Sequence, residues 1–589
     1  MPLSRVFRNQ STQTMNITQS NQPFSIYCDW GMHDELGDSQ ELSESMTFRA
    51  LDSLERWKKQ FGIAFDYYLI DCFWFDPERG YRFFKQPHWP DGFEPALTRI
   101  RELGMKPGLW YSTNGYRLNN PAWDDSLCEG NWAYSLVDGS YAENFQASMI
   151  HAIDEWEIAF IKLDFANLDL AAKGVKRASD ATYAESVKRL KSILRAVRQH
   201  KPDIRILTHC GYARADHGIG PNGYASPGND PSWLEVADYL FSGDPAPSSA
   251  PRYSLRRSCD LFQDANTYRV YRDGLPLHRI DDHGVMVGET NTCLYQGRVG
   301  FRRTHLAQLA RGARRDFFYG DPTLLTDDDL VGMRQTRCLF FDAYSRGLET
   351  AFIGGGEPGF APWHAFLTGG GDRGLLYLVN GKSESQLIEM DLPGIFEARS
   401  LFCDGCHPAV QVQADRLNVE LAPEQVALIG LGKYANEEHL IGSGDDLAPS
   451  QSRLAQLQFT PEKNGYSANV EGPAGDMERL AITVTAMHST ARRGPLWGPP
   501  HNFARQSTKP GESREPLAPK IVNVELIRDG RAVGGVRTIP AVPVWTGLNW
   551  FRAIVDAQPG DRIQIQTDFG DAPKEIRTHV RANWIRESE

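Results

Sequence analysis

A lysine and an aspartate stand two residues apart in the stretch 158–170, where Ala159-Phe160-Ile161 runs straight into Lys162-Leu163-Asp164. A short apolar run with amphipathic segments on either side reads as a buried parallel strand. Residues two apart in a strand share a face, so this ammonium and carboxylate point the same way. A carboxylate beside an ammonium stays ionised, which is the state a nucleophile needs. A salt-bridged strand end accounts for the same pair equally well, and the rest of the chain must decide between the two.

The elements that would position the pair recur at regular intervals. Strand-like runs lie at 24–27, 67–70, 106–111, 204–208 and 236–241, with further candidates at 284–288 and 316–320. Helical patterns fall between them. Met46, Ala50, Leu54, Trp57 and Phe61 form one apolar face behind a Ser43 cap. Another helix ends at Leu103 with Gly104 as its C′ residue. A third runs over 144–156, a fourth carries Tyr183, Val187, Leu190, Leu194 and Val197, and Thr326 caps a fifth. Strands alternating with helices give parallel βαβ units. About eight of them in about 320 residues predict an α/β chain built on a (β/α)8 TIM barrel over 23–345, with its chemistry at the carboxyl ends of the strands.

Beyond about residue 344 the texture changes to short alternating strands separated by Gly- and Pro-rich turns. This predicts an antiparallel β-sandwich over 346–434, a polar linker over 435–453, and a C-terminal all-β domain over 454–589. Residues 1–22 are polar and expected to be a flexible N-terminal segment. Trp545, Trp550 and Phe551 in the last domain are expected to fill its own core, with a homo-oligomer interface as the second use.

Length and charge bound the function. A chain of 589 residues needs several cores, and a formal net charge of -12 argues against nucleic acid or an anionic membrane as partner. A small neutral or polar substrate fits better. No run reaches the length of a membrane-spanning helix, and the N-terminus lacks the apolar segment of a signal peptide. The nine scattered cysteines read as mostly free thiols in a reducing, cytoplasmic setting. Cys403-Asp-Gly-Cys406-His407 fits a haem-attachment spacing, but it stands alone in a β-domain turn. His209, His217, His278 and His283 lack clean metal-ligand spacing, and no Gly-rich phosphate loop stands out. The expectation is therefore an enzyme without metal or cofactor.

Six segments in order then resemble one group. They are Ile70-Asp71-Cys72-Phe73-Trp74-Phe75-Asp76, the segment 89–110 ending in Gly104-Met105-Lys106-Pro107-Gly108-Leu109-Trp110, and Phe160 to Phe165. His209-Cys210-Gly211 with Arg214 and Asp216 follows, then Leu240-Phe241-Ser242-Gly243-Asp244-Pro245, and finally the segment 287–298. Together they resemble the α-galactosidases (melibiases), the clan of glycoside hydrolase families 27 and 36, over roughly residues 24–430. The resemblance implies a TIM barrel, a retaining mechanism, Asp164 as nucleophile and Asp244 as acid/base. A sugar pocket would take its stacking faces from Trp30, Trp74 and Trp110 at strand ends, each otherwise a core residue, and hydroxyl partners from Asp71 and Lys162. The resemblance adds Cys72 and Cys210 as pocket positions, and Arg214 and Asp216 either join them or form a local ion pair. The chemistry agrees with the residues themselves. A retaining glycosidase needs two carboxyl groups about 5–5.5 Å apart, one ionised and one protonated. Lys162 favours charge on Asp164, whereas Asp244 follows an apolar strand with no cation nearby in sequence. Asp216 and the Asp281-Asp282 pair are the strongest competitors for the acid role.

The chain also departs from the group. Cys72 stands where α-galactosidases place a second aspartate, the one that takes the axial 4-hydroxyl of galactose. Ala166 stands where the nucleophile segment has Asn. No large β-domain precedes the barrel, and an extra one follows the sandwich. An α-glucoside, a β-L-arabinopyranoside or an α-N-acetylgalactosaminide is therefore an alternative substrate. A non-catalytic carbohydrate-binding protein and a metal-dependent barrel hydrolase are the readings from other classes.

Overall fold

The computed structural model describes residues 22–35, 42–130, 133–209, 230–241, 258–282, 284–287, 300–358, 361–370, 372–382, 385–413, 415–444, 451–455, 457–472, 478–488, 522–539, 549–567 and 576–586. The segment 1–21, and with it Cys210, Arg214, Asp216, His217, Asp244, His283 and Trp545, lies outside them.

Eight parallel strands form one sheet: Phe24–Cys28 (β1), Tyr67–Ile70 (β2), Lys106–Ser112 (β3), Phe160–Asp164 (β4), Arg205–His209 (β5), Tyr239–Phe241 (β6), Ile280–Asp281 (β7) and Arg315–Phe318 (β8). Their order is β8-β1-β2-β3-β4-β5-β6-β7. The remaining seam is crossed by a parallel bridge from Val285 to Phe318, with Val285 N–H donating to Phe317 O at 2.9 Å and Tyr319 N–H to Val285 O at 2.8 Å. The sheet thus curls into the (β/α)8 barrel. The seventh strand lies at Ile280–Asp281 rather than at the expected 284–288. Gly284, at φ 61°, turns the chain onto β8, where a Cβ would sit 2.1 Å from Phe317 O.

Side chains alternate as a barrel requires. Ile26, Cys28, Leu69, Phe160, Leu207, Phe241 and Phe317 pack in the interior. Tyr68, Ile70, Ile161, Leu163, Ile206 and Leu240 belong to the larger core that includes the helices. Ser43 caps the helix Glu44–Arg56 by accepting from Met46 N–H, and Thr326 forms a capping box with Asp329 at the start of Asp327–Ser345. Gly104, at φ 82°, follows the helix Glu94–Glu102. The helix expected over 144–156 begins a turn earlier, at Tyr141–Trp156.

After the barrel, a six-stranded and a three-stranded sheet share a core that includes Leu367, Leu376, Ile388, Val419 and Ile429, which is a β-sandwich. Gly442–Gly444, in the stretch read as a linker, pairs parallel with Ala398–Asp404. Two five-stranded sheets follow, packed through Leu480, Ile482, Val524, Ile563 and Trp584. Barrel and sandwich meet at a buried polar knot. Arg311 reaches Asp264 at 2.8 Å and Asp282 at 2.6 Å, and His364 of the sandwich reaches Asp264 at 2.8 Å. The cysteines Cys28, Cys72, Cys128, Cys338, Cys403 and Cys406 are free thiols.

Candidate active site

Parallel register brings the strand ends into line at one mouth of the barrel. Ser112 pairs with Asp164, Lys162 with Leu207, His209 with Phe241 and Phe241 with Asp281. Asp164 closes β4, and a donor reaches each of its oxygens. Phe165 turns into the left-handed region at φ 40°, and its N–H donates to Asp164 Oδ1 at 2.8 Å. The Trp110 indole N–H donates to Asp164 Oδ2 at 3.0 Å. His209 Nε2 lies 3.3 Å from Oδ1. Both oxygens are thus oriented, yet the Asp164 side chain keeps 15% of its surface open to solvent.

Lys162 does not pair directly with Asp164 as the spacing suggests. Its side chain crosses the barrel interior to Asp71, two strands away, with Nζ 2.9 Å from Oδ2. Burial works against the ammonium, but Asp71, helped by Cys28 and Asp164, outweighs it and holds the Lys162 pKa above its ordinary value. Asp71 also accepts from Cys28 Sγ at 3.1 Å and from Cys72 N–H at 2.9 Å. Beneath it Asp29 is wholly buried and accepts the Asp71 N–H at 2.9 Å. Burial, with the charge of Asp71 adding to it, pushes Asp29 up to about 8 despite that hydrogen bond and a weaker one from Tyr68.

Aromatic rings line this floor and rim. Lys162 Nζ sits 4.8 Å from the Tyr319 ring centre and 5.8 Å from that of Trp30, and the two rings meet edge to face at 6.3 Å. The half-buried Phe73 stacks on Phe165 and packs edge-on against Trp110. Trp74 differs from what its strand-end position suggests. It is fully buried, donates its indole N–H to Trp110 O at 2.8 Å and packs against Phe84, Tyr111 and Trp156. It supports Trp110 from the core and does not line the mouth. Cys72 is buried behind Asp71.

The structure therefore brings together Trp30, Asp71, Cys72, Trp110, Lys162 and Asp164, sets Trp74 apart, and leaves Cys210, Arg214, Asp216 and Asp244 outside the described residues. Asp282, a competitor for the acid role, is committed to Arg311 and to Gly284 N–H. Two members escape the sequence reading, His209 and Tyr319. Each extends the strand pattern one residue past the expected end or just beyond the strand, and strand-end register is the signal that finds them. Among the described residues no three His, Cys, Asp or Glu side chains converge as a metal-holding group, and no described helix is long and apolar enough to cross a membrane.

No protein-family model matches the chain, and no curated protein matches it. Solved structures do. α-Galactosidase I of Mortierella vinacea aligns with TM-score 0.46 and 13% identity over 71% of this chain and 98% of that one. The family 36 α-galactosidase AgaA of Geobacillus stearothermophilus aligns with TM-score 0.46 and 12% identity over 69% of this chain and 56% of that one. The galactosidase domain of an α-galactosidase–sucrose kinase gives TM-score 0.48 and 14% identity over 72% and 56%. The chain is similar to these solved structures, and its strand-end motifs resemble the α-galactosidase group.

Proposed function

We propose that the protein is a retaining glycoside hydrolase that releases a terminal α-linked sugar, an α-galactoside first, by double displacement. Asp164 attacks the anomeric carbon and forms a covalent glycosyl ester as the glycosidic C–O bond breaks. Asp244 gives its proton to the departing oxygen. In the second half Asp244 takes a proton from water, whose oxygen attacks the anomeric carbon and frees Asp164. The observation that carries this reading is the Asp164 carboxylate itself: one oxygen is fixed by the Trp110 donor from β3 and the other by the backbone donor at the β4 exit, it keeps some exposure to solvent, and it lies beside aromatic surfaces suited to sugar C–H stacking.

Cys72 favours a second reading within the same mechanism. A thiol cannot accept from an axial hydroxyl as a carboxylate does. An α-glucoside, a β-L-arabinopyranoside or an α-N-acetylgalactosaminide then takes the place of galactose. Hydrolysis of a panel of nitrophenyl α- and β-glycosides, with Asp164→Ala alongside, tests both. Release from one α-hexoside or from the β-L-arabinopyranoside, abolished by the substitution, is expected and names the sugar. Release that survives the substitution, or none across the panel and its natural oligosaccharides, would sink the proposal.

A further inference from the structure

We propose that His209 is a positioning residue for the Asp164 nucleophile, an inference that rests on the glycosidase reading and assigns the carboxylate a partner from the neighbouring strand. The register makes the pairing. Lys162 stands opposite Leu207 on β4 and β5, so the residues two further on, Asp164 and His209, stand opposite each other and share the interior face. His209 Nε2 lies 3.3 Å from Asp164 Oδ1. The ring is buried, with 5% of its side chain exposed. On its other flank it packs edge to face on Phe241 of β6, with centroids 5.2 Å apart.

The geometry fixes what the imidazole does. A carboxylate oxygen only accepts, so the 3.3 Å contact is attractive when Nε2 carries the proton. Oδ2 is fixed by Trp110 and Oδ1 by Phe165 N–H. Those two donors reach Asp164 from β3 and from its own turn. His209 adds a close polar contact from the β5 side, 3.3 Å away and off the alignment of a hydrogen bond, which limits rotation of the carboxylate plane about the bond that joins it to the strand. Phe241 in turn keeps the imidazole from swinging away. Loss of that restraint leaves the nucleophile present but less often aligned with the anomeric carbon, a loss that falls on kcat rather than on binding.

Steady-state kinetics of the full chain on the sugar that the panel identifies, for His209→Gln and His209→Leu, tests this. Gln can present an amide N–H where Nε2 stood, and Leu cannot. His209→Leu is expected to lower kcat roughly 10- to 100-fold with KM little changed, and His209→Gln to restore most of the rate. In an Asp164→Gly background rescued by azide, His209→Leu should have no further effect, because the group it acts through is gone. A His209→Leu enzyme with wild-type kcat, or an effect that persists in the azide-rescued background, overturns the assignment. A double-mutant cycle of His209→Leu and Asp164→Asn read by urea midpoint needs no turnover. Non-additive shifts are expected, and additive ones contradict the pairing. An inactive wild-type enzyme with a non-additive cycle would defeat the glycosidase reading, and with it the catalytic role, while leaving the pairing intact.

Discussion

At the scale of single residues, the site is a problem of keeping one carboxylate ionised, oriented and open while others beside it are buried. Asp71 solves its burial with Lys162 and three donors in all. Among the described residues no cation pairs with Asp29, and burial keeps it protonated well into the neutral range. This has a defined consequence for stability. A carboxyl whose folded-state pKa is raised from 3.8 to about 8 binds its proton more tightly in the folded chain. Its contribution is complete below about pH 4 and is lost as pH rises through about 8. Asp29→Asn is therefore expected to remove part of the fall in urea midpoint between pH 5 and pH 8, and identical pH slopes for the two proteins would refute it. Trp110 makes a second prediction. Trp110→Phe keeps a ring beside Phe73 and Phe165 but loses the donor to Asp164 Oδ2. A hydrogen bond to a charged group contributes about 1.5–3 kcal/mol. Initial-rate kinetics should show kcat down roughly 10- to 100-fold with KM nearly unchanged, and an unchanged kcat would exclude the indole from the mechanism.

At the scale of elements, the mouth depends on how closely the first helix approaches the last strand. Gly31 sits in the helix Trp30–Glu35, and a Cβ there would lie 1.6 Å from Tyr319 O. Gly31→Ala must push that helix, and Trp30 with it, away from Tyr319. A loss of about 1–3 kcal/mol is expected from such overpacking, with reduced activity. Thermal melting and rates equal to wild type would show the approach to be looser than described. The barrel was legible from the chain because apolar strand runs and amphipathic helices alternate along it, and the β1 to β6 ends fall within a few residues of their expected places. The seventh strand was displaced because Gly284 interrupts the expected run, so that Val285 makes only an isolated bridge to Phe318. The site was legible where spacing determines facing, as for Lys162 and Asp164. It was not legible where reach across the interior decides the partner, as for Lys162 with Asp71. His209 was hidden because β5 was expected to stop at Thr208, and one further residue of strand brings an imidazole level with Asp164. Trp74 shows the converse: a strand-end aromatic can turn outward into the helix layer.

At the scale of the whole molecule, the barrel is joined to the sandwich through the buried knot of Arg311, Asp264, Asp282, Tyr377 and His364. Arg311 and His364 hold the Asp264 carboxyl below its ordinary pKa against the opposing effect of burial. Removing the guanidinium takes the cation from buried Asp282 and leaves Asp264 with His364 and Tyr377. Arg311→Met should cost about 3–5 kcal/mol of stability, and since Asp282 follows β7 the damage should reach the mouth as lost activity. A urea midpoint within error of wild type would show the knot to be dispensable. The central claim, however, rests on one atom pair, Asp164 and an anomeric carbon. Its most direct test is to incubate the enzyme with a slowly turned-over fluorinated glycosyl fluoride of the preferred sugar and to map the modified peptide by mass spectrometry. One added glycosyl group per chain is expected, carried on Asp164 and absent from Asp164→Ala. An adduct on another carboxylate, or hydrolysis with inversion and no adduct, would contradict it.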